Sequence, residues 1–298
     1  MGVSTAAALA EEFETHRPRM FGLAYRILGS AQEAEDAVQD AYLRWNGTRR
    51  EDIEQPAAWL AKTVTNLCLN RLTSARARRE QYVGTWLPEP VITSGGTLGP
   101  LESAEQREAV SMALLVLLER LTPRERAVYV LREAFSYSHR EIAGVLDASE
   151  AGCRQLYRRA ARALADARPR FAPGHELRQR FVESFVAAAR EGDVVGLEKI
   201  LARDVTWWGD GGGKVAAATT PILGRENVLR FLAGVMAKFG SAEVTYAEVN
   251  GAPAMVMRTA GHLTAVASFE GSDGVVTGVR SVVNPDKLAF VERQLAAA

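Results

Sequence analysis

The sequence is poor in the residues that build metal sites and covalent cross-links. Its 298 residues include only two cysteines and four histidines. Cys68 and Cys153 lie far apart, each inside a helical pattern, so neither a disulfide framework nor a four-ligand zinc site is available. Both thiols are predicted to be small, buried apolar residues. We predict no metal site and no cofactor.

Long hydrophobic runs are also absent. No apolar run approaches the roughly 18 residues needed to span a bilayer, and no basic segment followed by an apolar core stands at the N-terminus. We therefore expect a cytoplasmic protein without a membrane partner. With 47% hydrophobic and 24% charged residues, the composition is that of a soluble globular chain, long enough for two or three domains of roughly 100 to 150 residues.

A net charge of one sign is missing too, because 36 basic and 36 acidic residues balance to zero. A neutral chain would be a poor nucleic-acid binder if its charges were evenly spread, but they are not. Acidic residues dominate from Glu11 to Asp40, whereas five cations and no acid lie between Lys62 and Arg79. A second basic block begins at Arg154. Blocks of opposite sign predict that one part of the chain touches a protein and that others touch phosphates.

Four segments of different character follow one another along the chain. In residues 1–80 the apolar residues recur at helical spacing, which predicts an all-helical domain. In residues 81–105 this periodicity gives way to glycine and proline, which indicates a linker. Residues 106–172 are predicted to form a second all-helical domain. Residues 173–298 are predicted to form an α+β domain whose curved sheet closes over helices.

The second helical domain carries a helix-turn-helix pattern. Thr122-Pro123-Arg124-Glu125 and Ser138-His139-Arg140-Glu141 are capping-box sequences that start helices. A short helix, a tight turn and a capping Ser149 then lead into an arginine-rich second helix. In the third domain, Arg225–Phe239 is a predicted helix among strands with apolar residues at a spacing of two.

An acidic helix face stands out in the first domain. Asp36 and Asp40 lie one turn apart with Gln39 and Leu43 beside them, and such a face suits a basic partner helix. A solvated acidic face is the alternative, and a metal site is not expected because no histidine or third carboxylate converges. The segment Glu33–Trp45 resembles the helix by which sigma factors of the sigma-70 family bind core RNA polymerase. The resemblance implies that these four residues contact the polymerase.

The segment from Pro56 to Arg79 is similar to the sigma region that melts and captures the minus-ten promoter element. Single-stranded DNA needs cations for its phosphates and platforms or pockets for its unstacked bases. The residues that the resemblance assigns to minus-ten DNA are Lys62, Asn66, Asn70, Arg71, Arg76, Arg78 and Arg79.

The segment from Leu121 to Leu164 resembles the fourth sigma region over its whole length. A recognition helix inserts its N-terminal part into the major groove, so Arg154 and Gln155 are predicted to read bases while later arginines hold phosphates. Gly152 is a departure, because glycine in a helix interior costs roughly 1 kcal/mol against alanine; it marks either close approach to DNA or a tolerated weak residue. The predicted minus-thirty-five contacts are His139, Arg140, Arg154, Gln155, Arg158, Arg159 and Arg162.

Three short motifs point to a subgroup of these factors. They are Trp86-Leu87-Pro88-Glu89-Pro90, Asp210-Gly211-Gly212-Gly213-Lys214 and Asn284-Pro285-Asp286-Lys287-Leu288. Together they resemble the extracytoplasmic-function (ECF) subgroup that carries a C-terminal SnoaL-like domain. The resemblance implies a sigma factor whose own SnoaL-like domain modulates it in place of a separate anti-sigma factor. We expect the three motifs to form a regulatory contact; the alternative is that the second and third merely shape turns.

Two other functions remain as alternatives. SnoaL-like domains include cyclases and isomerases with a pocket carboxylate as base, so an enzyme is conceivable, with Asp210, His262 and Asp286 as candidates. The structural alternative places Asp210 in a glycine-rich turn, His262 at a strand start and Asp286 in a turn after the last strand. A one-component regulator, which joins a helix-turn-helix to a ligand-sensing domain, is the other alternative. The acidic helix and the melting segment argue against it. We predict no enzyme and two partners, core RNA polymerase and promoter DNA, duplex at minus thirty-five and melted at minus ten; an unknown small ligand of a C-terminal pocket is left open.

Overall fold

The structure, a computed structural model, describes residues 2–98, 104–165, 175–191, 194–239, 242–272 and 274–297. The chain divides into two compact units that do not follow the order of the sequence. The first, here called the helical unit, comprises Met1–Glu80, Gly95–Val110 and Leu114–Arg168. The second, here called the sheet unit, comprises Gln81–Ser94, Ser111–Ala113 and Pro169–Ala298. The two predicted helical domains thus share one unit, and most of the predicted linker belongs with the C-terminal domain.

Eight α-helices lie in the described part of residues 2–165. They are α1 Gly2–Leu28, α2 Ala31–Gly47, α3 Pro56–Glu80, α4 Ala104–Glu108, α5 Met112–Leu118, α6 Pro123–Phe135, α7 His139–Leu146 and α8 Glu150–Ala165. A 3-10 turn, Arg50–Asp52, precedes α3. None of the helices among the described residues is long and apolar enough to cross a membrane.

The helix boundaries follow from local capping chemistry. Gly29, with a positive φ of 70°, ends α1, and the Ser30 side chain accepts a hydrogen bond from the Glu33 amide to start α2. Thr122 and Ser138 form complete capping boxes at the starts of α6 and α7. These helix starts therefore lie where the sequence predicts them.

The helix-turn-helix is present as predicted. Asp147 adopts the left-handed conformation (φ 48°) that ends α7, and its amide bonds to the Ala143 carbonyl. The Ser149 hydroxyl then accepts a hydrogen bond from the Gly152 amide at 3.1 Å, which starts α8. The turn between the two helices is thereby fixed at both ends, by a backbone hydrogen bond at the end of α7 and by the Ser149 side chain at the start of α8.

A buried arginine joins the two halves of the helical unit. Arg126 of α6 is 3% exposed, and its Nη1 donates to the Ile27 carbonyl at 2.9 Å and to Glu119 at 2.7 Å. Carbonyls in the last turn of a helix lack intrahelical partners, so this guanidinium satisfies an acceptor at the end of α1. The pairing ties α6 to α1.

The sheet unit is an α+β domain with one six-stranded sheet. Its strands are β1 Leu201–Asp210, β2 Ile222–Leu223, β3 Glu243–Val249, β4 Ala252–Thr259, β5 His262–Ser272 and β6 Val275–Val282. Their order is β2-β1-β6-β5-β4-β3, and β1 pairs in parallel with β6 while the other neighbours are antiparallel. Four helices accompany the sheet: α9 His175–Glu191, α10 Val194–Ile200, α11 Arg225–Phe239 and α12 Pro285–Ala297.

The core of the sheet unit lies between one sheet face and helices α9 to α11. Trp207 is 5% exposed and its ring lies 5.4 Å from that of Phe231 in α11, while Phe185 of α9 packs on Phe269 of β5 at 5.0 Å. Successive strand residues alternate faces, so Trp208 lies on the other side of the sheet, where it meets the guanidinium of Arg280 at 4.4 Å. Trp207 is therefore the core tryptophan of the pair.

Two predictions about the C-terminal domain were wrong. Asp286 was expected in a turn after the last strand, but Pro285 begins α12, and proline followed by an acid is a favourable first helical turn. Asp210 was expected in a glycine-rich turn, but it is the last residue of β1 and is fully buried. The short strand β2 was not predicted, since two residues carry no periodicity.

Candidate functional site

The acidic face of α2 is exposed as predicted. Helix α2 buries Ala34, Val38 and Trp45 against the helical unit. On the opposite side the Asp36 and Asp40 side chains are 54% and 45% exposed, Gln39 is exposed, and Leu43 is 62% exposed. An exposed leucine one turn after the second of two exposed carboxylates forms a surface that suits a partner with both an apolar and a basic component.

A cation of the same unit already sits on this acidic face. Arg71 of α3 places its Nη2 2.6 Å from Asp40 Oδ2 and its Nη1 3.6 Å from Asp36 Oδ2. The resemblance assigned Arg71 to minus-ten DNA, and this pairing was not predicted, because Asp40 and Arg71 are 31 residues apart in the sequence. The structure brings Arg71 to the acidic face.

Helix α3 presents a second paired cation. Lys62 Nζ lies 2.6 Å from Asp147 Oδ1, the residue that ends α7, and both side chains are substantially exposed, at 42% and 72%. Asn66 is half-buried and Asn70 is exposed. Arg76, Arg78 and Arg79 belong to α3, but their side chains lie outside the described residues. Among the predicted minus-ten residues whose side chains are described, the cations are Lys62 and Arg71. Each of them forms an ion pair with a carboxylate of the helical unit.

The arginine stripe of α8 is exposed along its whole length. Cys153, Ala160 and Leu164 face the interior, and the predicted minus-thirty-five residues on the opposite side, Arg154, Gln155, Arg158, Arg159 and Arg162, are all exposed. Arg140 of α7 is exposed as well. The arrangement offers a continuous cationic surface on the second helix of a helix-turn-helix, as groove binding requires.

His139 begins α7 beside this stripe. Its ring meets Tyr157 edge-on at 5.5 Å, and it is half-buried. Partial burial lowers the pKa of His139 below its usual value, and the positive charges of Arg132, Arg154 and Arg158 lower that pKa further. His139 is therefore mostly neutral at pH 7.

Gly152 has one close neighbour inside the protein, the Ser149 hydroxyl that caps α8. A Cβ at this position would meet the Ser149 hydroxyl at 3.1 Å and no other heavy atom within 4 Å. A side chain there would crowd the hydroxyl that caps α8. The glycine thus protects the start of the recognition helix within the protein itself.

The three motifs of the predicted regulatory contact meet around one carboxylate of the sheet unit. Asp210 is fully buried, and its Oδ1 accepts a hydrogen bond from the Tyr82 hydroxyl at 2.5 Å. Its Oδ2 accepts from the Leu87 amide at 2.7 Å and from Lys287 Nζ at 2.7 Å. Burial, and the hydrogen bond to Asp210, raise the pKa of Tyr82 well above its usual range, so the hydroxyl remains a donor. We call this cluster the linker clasp.

Lys287 is the cationic half of the linker clasp. It is 7% exposed, donates to the Leu87 carbonyl at 2.5 Å, and its ammonium lies 4.3 Å from the centre of the Trp86 ring and 4.7 Å from that of Tyr82. Two aromatic faces and one carboxylate therefore replace the water around this charge. The pair of Trp86 and Leu87 is not exposed as it would be in an open linker, since Leu87 is 1% exposed.

The remaining motif residues shape and support the clasp. Asn284 donates to the Tyr82 hydroxyl at 2.8 Å and accepts from the Asp286 amide at the start of α12. Gly212 has a φ of 59°, and a Cβ there would collide with the Asn284 side chain. Lys214 and Asp286 form an exposed ion pair that links the second and third motifs. The motif residues Pro88, Pro90, Gly211 and Leu288 are buried, Glu89 is half-buried, and Gly213 and Pro285 are exposed.

A second set of contacts, not predicted from the sequence, holds the next stretch of linker on the sheet unit. Ile92 bridges to Val249 at the end of β3, and the Thr93 amide donates to the Glu248 carbonyl at 3.0 Å. The Gln294 side chain of α12 both donates to and accepts from the Ile92 backbone. The only sequence signal was the Asn250-Gly251 turn, whose asparagine side chain accepts from the Val91 amide at 3.2 Å.

The three enzyme candidates lie in different surroundings. Both oxygens of Asp210 accept hydrogen bonds from the linker clasp. The Asp286 side chain is 61% exposed and pairs with Lys214. His262 is exposed at the start of β5. Among the described residues no group of three or more histidines, cysteines or carboxylates could hold a metal ion.

Two stretches of the chain match the models of known sequence families. Residues 13–78 match the model of Sigma-70 region 2, and residues 111–164 match that of Sigma-70, region 4. The chain is 39% identical over 231 residues to the ECF RNA polymerase sigma factor SigJ of Mycobacterium tuberculosis, which covers 77% of this chain and 73% of SigJ. It is 32% identical over 191 residues to the probable ECF sigma factor SigI of the same organism, covering 63% of this chain and 65% of SigI.

The fold of nearly the whole chain is also found in a solved structure. The crystal structure of M. tuberculosis SigJ matches with a TM-score of 0.74 and 34% identity, covering 94% of this chain and 98% of SigJ. The match extends over the helical regions and the C-terminal sheet domain alike. It confirms the predicted sequence of helical domains followed by an α+β domain.

Proposed function

This chain belongs to the ECF family of RNA polymerase sigma factors, and on that basis we propose that it directs core polymerase to promoters through the surfaces described above. The acidic face of α2 is the proposed polymerase contact. Helix α3 is proposed to capture the melted minus-ten element, and α8 to read the minus-thirty-five duplex. Each assignment is supported by exposure and charge: carboxylates with a leucine on α2 and a stripe of arginines on α8. A protein with this task works in the cytoplasm.

We further propose that the sheet unit controls the factor by holding the linker between α3 and α4. The observation that carries this proposal is the buried Asp210–Lys287 pair, which binds both the amide and the carbonyl of Leu87. Burying two charges is expensive unless both are fully hydrogen-bonded, and here the linker supplies part of that bonding. The C-terminal domain and the linker therefore stabilise one another.

The length of the linker shows how holding it could control promoter binding. The 23 residues between Glu80 and Ala104 could span roughly 80 Å when extended. The two promoter elements, about 25 base pairs apart, are separated by roughly 85 Å along the duplex. With residues 81–94 fixed in the sheet unit, only residues 95–103 remain to be extended, which is about 30 Å. Release of the clasp would restore the length of chain that this separation demands, and the packing of α6 on α1 through Arg126 would have to open as well.

The test is run-off transcription by the full chain with core polymerase. Asp210→Asn should raise output, because Lys287 loses its ionised partner and the linker loses its anchor. Asp204→Asn is the matched control: Asp204 is an exposed carboxylate of the same strand, β1, outside the three motifs, and its loss should leave output unchanged, since exposed charges contribute little. Equal output from both variants and the unaltered chain would refute control by the clasp, while output that does not depend on the chain at all would refute the sigma-factor function.

We infer no catalytic role for the sheet unit. A general base needs a carboxylate that can take up a proton from a substrate, and the buried Asp210 is already bonded on both oxygens by Tyr82, Leu87 and Lys287. The same carboxylate has a complete structural role in the clasp.

A further inference from the structure

The first turns of the recognition helix hold an acid among exposed cations. Glu150 is the first residue of α8, and Arg154 lies one turn further on. Arg154 Nη1 is 2.6 Å from Glu150 Oε1, and the two side chains are 51% and 45% exposed. Both side chains are exposed, whereas Cys153 between them in the sequence is buried. The helix thus offers a paired acid and base at its leading end.

Helix stability explains only part of this placement. An acid in the first turn complements the helix dipole, and an ion pair four residues apart is mildly favourable. However, this end of a recognition helix is the part that enters the major groove, between two rows of phosphates that repel a carboxylate. A carboxylate is tolerated there where a base edge offers an amino group, and cytosine N4 is the donor that Glu and Asp accept.

We propose that Glu150 is a specificity-determining residue that accepts a hydrogen bond from a cytosine N4 beside the guanine read by Arg154. The proposal rests on the assignment of α8 as the minus-thirty-five reader. A guanidinium has five N–H donors; the pairing with Glu150 uses Nη1, which leaves Nη2 and Nε for the O6 and N7 acceptors of guanine. Glu150 in turn keeps Oε2 for the cytosine amino group.

The ion pair also holds Arg154 in position. An unpaired arginine on a helix surface has many rotamers, and ordering it on a base reduces the gain from the contact. Glu150 restricts the guanidinium before DNA arrives and screens it from neighbouring phosphates. The acid therefore favours base reading by Arg154 over a sequence-independent phosphate contact.

The experiment is transcription by the full chain with core polymerase from promoters in which each minus-thirty-five base pair is varied in turn. The unaltered chain should prefer cytosine at one position by roughly tenfold. Glu150→Gln should move that preference to adenine, because an amide pairs with adenine N6 and N7. Arg154→Ala should relax a guanine preference at a neighbouring position. Glu226→Gln, an exposed first-turn acid of α11, is the matched control and should keep the original profile.

The outcomes separate this inference from the function on which it rests. If Glu150→Gln keeps the cytosine preference while Arg154→Ala relaxes one position, Glu150 serves only the helix and the inference is wrong. A uniform fall in output with an unchanged base profile contradicts it equally. If the unaltered chain shows no preference at any minus-thirty-five position, the assignment of α8 as the reader fails instead. Circular dichroism confirms that each variant is folded.

Discussion

Lys287 and His139 illustrate two ways in which a single residue depends on its surroundings. Lys287 keeps its charge in the interior because Asp210, two aromatic rings and the Leu87 carbonyl surround it. His139 is compensated only in part: partial burial and the charges of Arg132, Arg154 and Arg158 oppose its charged form, and Glu150, which favours that form, does not outweigh them. The lysine is a fixed structural charge, whereas the histidine can change its charge when its surroundings change.

We expect promoter binding to strengthen as the pH falls into the range where His139 takes up a proton. The pKa of His139 is lowered in the free protein, and nearby DNA phosphates would raise it, so binding takes up a proton. Affinity then rises as the pH falls through the raised pKa of the complex, and it levels off below the pKa of the free protein. Fluorescence anisotropy of labelled promoter with the polymerase complex measures this slope.

His262 supplies the control for that slope. It is an exposed histidine in the sheet unit, so His262→Gln should leave the pH dependence unchanged, while His139→Gln should reduce it. A slope that survives His139→Gln would assign the proton to another group.

At the scale of helices, the pairing of α3 with α2 changes how the acidic face must be tested. Reversing the charge of Asp36 and Asp40 would place two new cations beside Arg71, whose guanidinium forms ion pairs with both carboxylates. Like charges at such short distances destabilise the helix pair as well as any partner contact. Neutral substitutions avoid this ambiguity.

The double variant Asp36→Asn and Asp40→Asn should weaken core-polymerase binding on the order of tenfold or more, because two charges of the interface are lost. Pull-down with core enzyme measures the loss, and circular dichroism should be unchanged. Asp52→Asn, a substitution at an exposed acid in the 3-10 turn, is the matched control. Undiminished binding by the double variant would contradict the assignment of α2.

At the scale of the whole molecule, the order of the chain and the order of the units differ. The linker lies between the two helical regions in sequence, yet residues 81–94 fold with the C-terminal domain. Two side chains of α12 bind this part of the linker. Lys287 donates to the Leu87 carbonyl, and Gln294 hydrogen-bonds to the Ile92 backbone. A domain attached through the linker acts at a high effective concentration, so a modest interface is enough for control.

Chains of different length test these two attachments. A chain ended after Leu288 keeps Lys287 but loses Gln294 and the buried Phe290 and Val291, so it should transcribe more than the full chain. The transcription output of a chain ended after Ala172 should differ from that of the chain ended after Leu288, because the whole C-terminal domain is then lost. A chain ended after Leu295 retains both attachments and is the control. If all of these transcribe like the full chain, the C-terminal domain is not a regulator and the enzyme alternative should be reopened.

Local chemistry determined much of this protein from sequence alone. Capping boxes at Thr122 and Ser138, the Ser149 cap and the helical spacing of apolar residues depend on neighbours within four positions. The helix-turn-helix, the buried cysteines, the exposed faces of α2 and α8 and the α+β nature of the last domain were therefore predictable. The three motifs were recognisable for the same reason, as short stretches of contiguous residues.

Only the tertiary structure determined which distant residues form ion pairs. Arg71 pairs with Asp40, Lys62 with Asp147, and Asp210 with Lys287, across separations of 31, 85 and 77 residues. No periodicity encodes such pairs, because they arise when packed helices and strands bring side chains together and burial makes an unpaired charge costly. For that reason the linker motif could be recognised in the sequence, whereas its partners, Asp210 and Lys287 of the C-terminal domain, were determined only by folding.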